Sequence, residues 1–135
     1  MTKEVIVAKK ETRQKPLTDK RLLELWGKAV KERAGYKCEY PECTVKSTQL
    51  HPHHFYSRRI VPMRYNIDNG ICLCAYHHTL GPNAAHNDPD FKDIIIARGV
   101  RTEEWHDDLI KQKQKITKNT AEFKRECYDK LKVYL

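Results

Sequence analysis

The chain has 135 residues, of which 39% are hydrophobic, and a net charge of +8 at pH 7. That length fits one domain with a lean apolar core, to which a bound metal ion could add stability. No apolar run approaches the roughly 18 residues of a membrane-spanning helix, and the N-terminus lacks the apolar core of a signal peptide, so we expect a cytoplasmic protein. The positive charge favours a polyanionic partner, most commonly nucleic acid; an acidic protein or a membrane surface is the alternative.

The N-terminal part of the sequence divides into an arm and a helix. Residues 1–16 are polar and charged and end at a proline, which predicts a flexible basic arm before a single domain over 17–135. A helix is predicted from a Thr18 cap to a stop at Gly35, because apolar residues recur between them at three- and four-residue steps. Its apolar face should pack on the cysteine-rich middle of the chain.

The central segment predicts two short strands and a brief helix. The first strand is expected near 48–54, a loop containing Pro62 follows, and "GICLC" at 70–74 predicts the second strand. "AYHHTL" then reads as a brief helix that stops at Gly81. Residues 43–67 contain no carboxylate but four lysine or arginine side chains, which creates a local positive field.

A helical extension is predicted for residues 91–135. "FKDIIIARG" should form a helix that Gly99 stops, and Thr102 should cap the next one, which has acidic residues in its first turn. A last helix is predicted to begin near Asn119, with Glu122 as the partner in a capping box.

Five cysteines, an odd number in a compartment that keeps thiols reduced, favour metal binding over disulfides. Cys38 and Cys43 enclose the turn "EYPE", and Cys74 with His77 forms a C-x2-H pair at a strand-to-helix junction. Four such ligands from two separated turns predict a structural Zn²⁺ site. The alternative is that the cysteines are buried apolar residues and His77 a surface residue.

Two cysteines remain outside this set. Cys72 shares a strand face with Cys74 and could replace it as a ligand, because side chains alternate along a strand. The two-residue spacing from Cys74 to His77 suits one helical turn around an ion, so Cys72 is expected in the core beside the site. Cys127 is expected to be a buried or idle thiol.

The stretch "LHPHHFYSRRI" at 50–60 holds three histidines in four positions. His53 and His54 face opposite sides of a strand, so one can bind a metal while the other addresses a substrate. His78 is also free for a second role, since adjacent residues on a helix point about 100° apart and His77 is assigned to zinc.

In the order His53-His54, Asn69, Cys74-x2-His77-His78, the chain resembles the HNH family of nucleases over roughly residues 36–90. The pieces "HHF", "DNGICLC" and "AYHH" match the family pattern of a strand, a loop with an Asp-Asn pair, a second strand and a helix that carries the last metal ligand. The resemblance implies an α+β fold: a small beta-beta-alpha-metal core with a structural zinc, flanked by N- and C-terminal helices.

The same resemblance implies roles for individual residues. His54 would be the general base, His53 and His78 would bind one catalytic divalent ion, and Asn69 would brace the loop that positions His54. Many relatives have Asp where this chain has His53, so the ion could be Mn²⁺, Ni²⁺, Co²⁺ or Zn²⁺ rather than the usual Mg²⁺.

Four further side chains could contribute to the site. Arg59 is predicted to be catalytic, a little below the histidines in rank, and could contact phosphate through its guanidinium group; Arg58 is a weaker candidate for the same contact. His86 could reach the catalytic ion or a phosphate, and His51 shares a strand face with His53 and could support the metal. A plain solvent-facing role is the alternative for Arg58, and a structural or surface role is the alternative for His86 and His51.

These features favour a metal-dependent HNH endonuclease, a hydrolase that binds and cuts DNA. The alternatives are a non-catalytic zinc-stabilised module that binds nucleic acid and a basic protein-interaction domain. A binding module has no need of a base beside a metal pair, so the combined histidines favour the nuclease. Small stand-alone proteins of this family are typical of phage and mobile-element genomes, which suggests a phage-encoded protein acting in a bacterial host.

Overall fold

The computed structural model describes residues 16–45 and 49–135. The predicted arm over 1–16 therefore lies, apart from Pro16, outside the described residues. The described chain is a mixed fold of helices around a two-stranded antiparallel sheet. In chain order the elements are α1 (Asp19–Arg33), β1 (Leu50–His54), α2 (Val61–Arg64), a 3₁₀ turn (Ile67–Asn69), β2 (Gly70–Cys74), a π-helical turn (Tyr76–Leu80), α3 (Phe91–Ala97), α4 (Glu103–Lys113), α5 (Ala121–Leu131) and a last 3₁₀ turn (Lys132–Tyr134). No described helix combines the length and the apolar character needed to cross a membrane.

The hairpin of β1 and β2 lies at the centre of the molecule. Leu50 pairs with Cys74 and His53 with Ile71, and all five residues of β2 are buried. On its other edge β2 meets the cysteine turn, residues 38–43. The backbone N–H of Glu39 donates to the Cys72 carbonyl over 2.7 Å, and the Glu39 carboxylate accepts from the Cys72 N–H over 2.8 Å.

Helix α1 covers one face of the hairpin, as its apolar stripe predicted. The Thr18 hydroxyl accepts from the Arg21 N–H at its start, and Gly35 follows its end with a positive φ of 66°. Trp26 and other apolar residues of α1 pack with Cys72 and with Leu131 of α5. The helix that the sequence predicted is thus held from both sides, by the hairpin and by the C-terminal helix.

The C-terminal helices cover the opposite face of the hairpin and the outer side of α1. Ile71 and Leu73 of β2 pack with Phe91 and Ile95 of α3. The cap at Thr102 is confirmed, since its hydroxyl accepts from the Trp105 N–H.

The last helix begins near the predicted position, but its capping residue is Thr120 and not Asn119. Thr120 caps α5 by accepting from the Phe123 N–H over 3.1 Å. The side chain of Asn119 instead donates to Asp19 at the start of α1, over 3.0 Å. The Asn119 side chain thus contacts α1 instead of capping α5.

A polar network fixes the cysteine turn against the hairpin. Glu39 forms an ion pair of 3.0 Å with Arg101, and the two side chains are only 18% and 14% exposed. Arg101 also donates to the Gly70 carbonyl, and Arg33 donates to the carbonyls of Gly70 and Ile67. Two cationic side chains thereby donate hydrogen bonds to the backbone carbonyls at the point where the loop enters β2.

Glu39→Ala should lower the free energy of unfolding by about 2–4 kcal/mol, because it leaves the largely buried Arg101 charge and the Cys72 N–H without this partner. The matched control is Glu42→Ala in the same turn, whose ion pair with Arg98 is exposed and should be worth less than about 1 kcal/mol. Urea denaturation of the zinc-loaded proteins measures both. Equal effects from the two variants would contradict the network described above.

Candidate metal centres and the histidine cleft

The four ligands predicted for zinc meet at one point in the structure. Their ligand atoms all lie within 4.8 Å of one another; they belong to Cys38, Cys43, Cys74 and His77. The Nδ1 atom of His77 is 3.3 Å from the Cys74 sulfur and 3.6 Å from the Cys38 sulfur, and the sulfurs of Cys43 and Cys74 are 4.0 Å apart. The set could hold a structural metal ion such as zinc.

The distances fit a tetrahedral ion. Zn²⁺ bonds of about 2.3 Å to sulfur and about 2.1 Å to nitrogen place two sulfurs about 3.8 Å apart and a sulfur and a nitrogen about 3.6 Å apart. Stacking on Tyr40, with ring centroids 4.1 Å apart, holds the His77 ring in place. Burial raises the pKa of Cys38 to about 12 and lowers that of His77, so a cation would bind with release of the thiol proton.

The two remaining cysteines lie apart from this cluster. Cys72 is fully buried against α1, which agrees with the prediction of a core residue beside the site. Cys127 is partly buried and packs on the same apolar cluster as Cys72. Burial raises the pKa of both thiols to about 11, which keeps them protonated.

The purified protein should carry one tightly held zinc ion per chain, and Cys43→Ser should lose it. Because such a site can contribute on the order of 10 kcal/mol to the free energy of folding, the variant should show little or no cooperative unfolding on heating. Cys127→Ser is the matched control and should keep the zinc. Elemental analysis and thermal melting are the measurements, and a zinc-free Cys43→Ser protein with an unchanged melting temperature would contradict a structural role for the metal.

A second group of ligands is formed by His53, His78 and His86, called the histidine group below. Their ligand atoms also lie within 4.8 Å of one another. His53 comes from β1, His78 from the π-helical turn, and His86 from the following loop, whose backbone N–H donates to the His78 carbonyl over 3.2 Å. The structure thus joins His86, a weak candidate in the sequence, to the two expected ligands.

The geometry and ionisation of this group also fit a metal ion. The Nε2 atoms of His78 and His86 are 3.1 Å apart. Two nitrogens about 2.1 Å from one ion are about 3.0 Å apart at a right angle and about 3.4 Å apart at the tetrahedral angle. Burial, followed by the charges of neighbouring histidines, lowers the pKa of His53 to about 3 and of His78 to about 4. Both are therefore neutral at pH 7, the form that binds metals.

His54 faces the opposite side of β1 and is held in a defined orientation. Its ring stacks on Trp26 of α1, with centroids 3.7 Å apart and planes 12° from parallel. Its Nε2 atom lies 2.9 Å from the Arg64 carbonyl oxygen. A carbonyl only accepts, so Nε2 carries the proton and Nδ1 is the basic nitrogen. Burial lowers the pKa of His54 below its ordinary value, with the Arg64 bond opposing, so the ring is neutral at pH 7.

Asn69 is fully buried and ties β2 to the loop that follows His54. Its side-chain oxygen accepts from the Tyr56 N–H, and its amide donates to the carbonyls of Tyr56 and Met63. Its own carbonyl accepts from the Phe55 N–H. The loop that begins one residue after His54 is therefore held by one side chain, in the position where the family resemblance implies a brace.

The histidine group and His54 open onto the same cleft, which has a volume of about 640 Å³. Arg58 lines this cleft and Arg59 does not belong to its lining, although the sequence ranked Arg59 higher. Both arginines are exposed. His51 contacts the histidine group from behind, with its Nδ1 atom 2.9 Å from Nδ1 of His78.

Sequence reasoning missed two supports of His54, the ring of Trp26 and the carbonyl of Arg64. Trp26 was readable only as a core residue of α1, and a backbone carbonyl carries no sequence signal.

No family model, no curated protein and no solved structure matches this chain.

Proposed function

We propose that this protein is a metal-dependent endonuclease of the HNH type that hydrolyses DNA phosphodiester bonds. One observation carries the proposal: His54, with its basic nitrogen free of the backbone, lines the same cleft as three imidazoles spaced for one ion. A neutral base beside a candidate metal site is the combination that metal-assisted hydrolysis requires.

His54 is the proposed general base. Its Nδ1 takes a proton from the attacking water as the water oxygen bonds to phosphorus, and the bond from phosphorus to the 3′ oxygen breaks. The leaving 3′ oxygen takes a proton from solvent water, so the products are a 5′-phosphate and a 3′-hydroxyl. The stack on Trp26 and the bond to the Arg64 carbonyl restrict the ring, so that little orientation is lost when the substrate binds.

The histidine group is the proposed site of the catalytic divalent ion. His53, His78 and His86 would hold the ion, which when bound would offset negative charge on the phosphate and on the leaving oxygen. Three imidazoles favour Mn²⁺, Co²⁺, Ni²⁺ or Zn²⁺ over Mg²⁺, which prefers oxygen ligands. The proposal thus extends the expected pair of ligands to three.

Contacts around the cleft suggest roles for the loop residues. Arg58 is the favoured phosphate contact, because its side chain lines the cleft; Arg59 stays a weaker candidate. Asn69 acts at a distance, by holding the loop that carries Arg58 and ends near Arg64, the residue that fixes the ring of His54.

The second candidate function is a zinc-stabilised module that binds DNA without cutting it. The net charge of +8 and the Cys-His cluster favour it equally. The neutral His53 and His78 do not, since uncharged imidazoles add no attraction for phosphate. The two functions differ in one property, hydrolysis.

His54→Ala should lower the rate of plasmid DNA cleavage by about 100-fold or more, because general-base catalysis contributes at least about that factor. The variant should keep its zinc and its affinity for DNA. His106→Ala is the matched control, a histidine bonded to the Tyr56 hydroxyl, and it should cut at the wild-type rate. Cleavage by His54→Ala at the wild-type rate would contradict the assigned base.

The metal requirement gives a separate prediction. Zinc-loaded protein should cut DNA with Mn²⁺, Co²⁺ or Ni²⁺ at concentrations at which Mg²⁺ gives little or no cleavage. His86→Ala should raise the concentration of Mn²⁺ needed for half-maximal rate by about 10-fold or more, a loss of roughly 1.4 kcal/mol of binding energy. Equal activity with Mg²⁺, or an unchanged Mn²⁺ requirement in the variant, would argue against a three-histidine ion site.

A further inference from the structure

His51 contacts the proposed metal site without belonging to it. Its Nδ1 atom is 2.9 Å from Nδ1 of His78, and the two rings meet edge to face with centroids 5.0 Å apart. The ligand atoms that converge for an ion are those of His53, His78 and His86, and His51 is outside that set. His51 therefore touches a ligand of the proposed ion and is not one of the three ligands itself.

The two ring nitrogens of His78 have different partners. Nε2 lies 3.1 Å from Nε2 of His86, inside the histidine group, and Nδ1 faces His51. If Nε2 carries a lone pair for an ion, the neutral ring must bear its proton on Nδ1. That proton needs an acceptor, and Nδ1 of His51 is at hydrogen-bonding distance.

The fold fixes the position of His51. It lies on β1 opposite Leu73 and on the same strand face as His53, two residues away. The side chain of His51 is half-buried. Its partner His78 comes from the turn that follows β2. The hairpin register thus places His51 on the strand face of His53 and in contact with His78. A shift of one residue would turn His51 to the opposite face of the strand.

We propose that His51 is a positioning residue, which accepts the Nδ1 proton of His78 and so holds that imidazole in the tautomer and orientation that present Nε2 to the catalytic ion. The inference rests on the proposed function, since it concerns the same ion. Hydrogen bonds of this kind orient metal-binding histidines, and their loss typically lowers metal affinity about 10- to 100-fold. In most such sites the acceptor is a carboxylate or a carbonyl; here an imidazole takes that place.

The test measures Co²⁺ binding to zinc-loaded protein in the absence of DNA. Calorimetry gives affinity and stoichiometry, and visible absorption of Co²⁺ reports its ligands. His51→Leu removes the acceptor and puts an apolar side chain in its place on the strand. His51→Gln supplies a side-chain oxygen that can accept the hydrogen bond. His106→Gln serves as the control, because this histidine bonds to Tyr56 and is not in the histidine group.

The expected result is a loss of about 10- to 100-fold in Co²⁺ affinity for His51→Leu, with one ion still bound and an unchanged absorption spectrum. His51→Gln should recover most of the affinity, and the control should bind as wild type does. Zinc content and melting temperature should stay at wild-type values in all variants.

Three results would overturn the inference, and they differ in what else they affect. Wild-type affinity in His51→Leu would remove the role of His51 and leave the proposed nuclease intact. A changed Co²⁺ spectrum in His51→Leu, without recovery in His51→Gln, would make His51 a direct ligand. Absence of any Co²⁺ binding by wild-type protein would refute both the ion site of the proposed function and the inference drawn from it.

Discussion

The candidate site depends on holding two paired strands of five residues each in register, because both strands carry residues of the site and the register fixes the side to which each one faces. A two-stranded hairpin alone is marginal in water, and a shift of one residue would turn His53 and His54 to the wrong sides. Two devices fix it. The Cys-His cluster joins the end of β2 to the cysteine turn, and Glu39 of that turn bonds to both backbone groups of Cys72. The helices then pack on the two faces.

Strand alternation explains how one short segment presents histidines to two different environments, as the proposed reaction requires. The face of β1 that carries His51 and His53 meets the π-helical turn, where His78 and His86 complete a group of imidazoles. The other face meets α1, where Trp26 stacks on His54. Burial lowers the pKa of His54 on one face and of His53 on the other, so that these imidazoles are neutral at pH 7 and suited to the proposed roles of base and ligand. A single desolvated hairpin thus supports both parts of the proposed reaction.

Much of the fold was readable because its signals are local. The stripe of α1, the alternation of β2 and the caps at Thr18 and Thr102 depend on neighbours within a few residues, and each of these elements forms where the sequence indicated. The cap of α5 was misplaced because Asn119 bonds across the chain to Asp19. For the site, ligand spacing predicted which cysteines converge. It could not reveal that a loop returns His86 to His78, or that the carbonyl of Arg64 orients His54, since both depend on tertiary position.

The central claim is that the cleft activates water to attack DNA phosphorus, and isotope transfer tests it most directly. Zinc-loaded protein with Mn²⁺ would be incubated with DNA in water enriched in oxygen-18, and the cut ends analysed by mass spectrometry. The account predicts one oxygen-18 atom in each new 5′-phosphate and an unlabelled 3′-hydroxyl. DNA that remains intact while bound to the protein, or ends that carry no label, would contradict it.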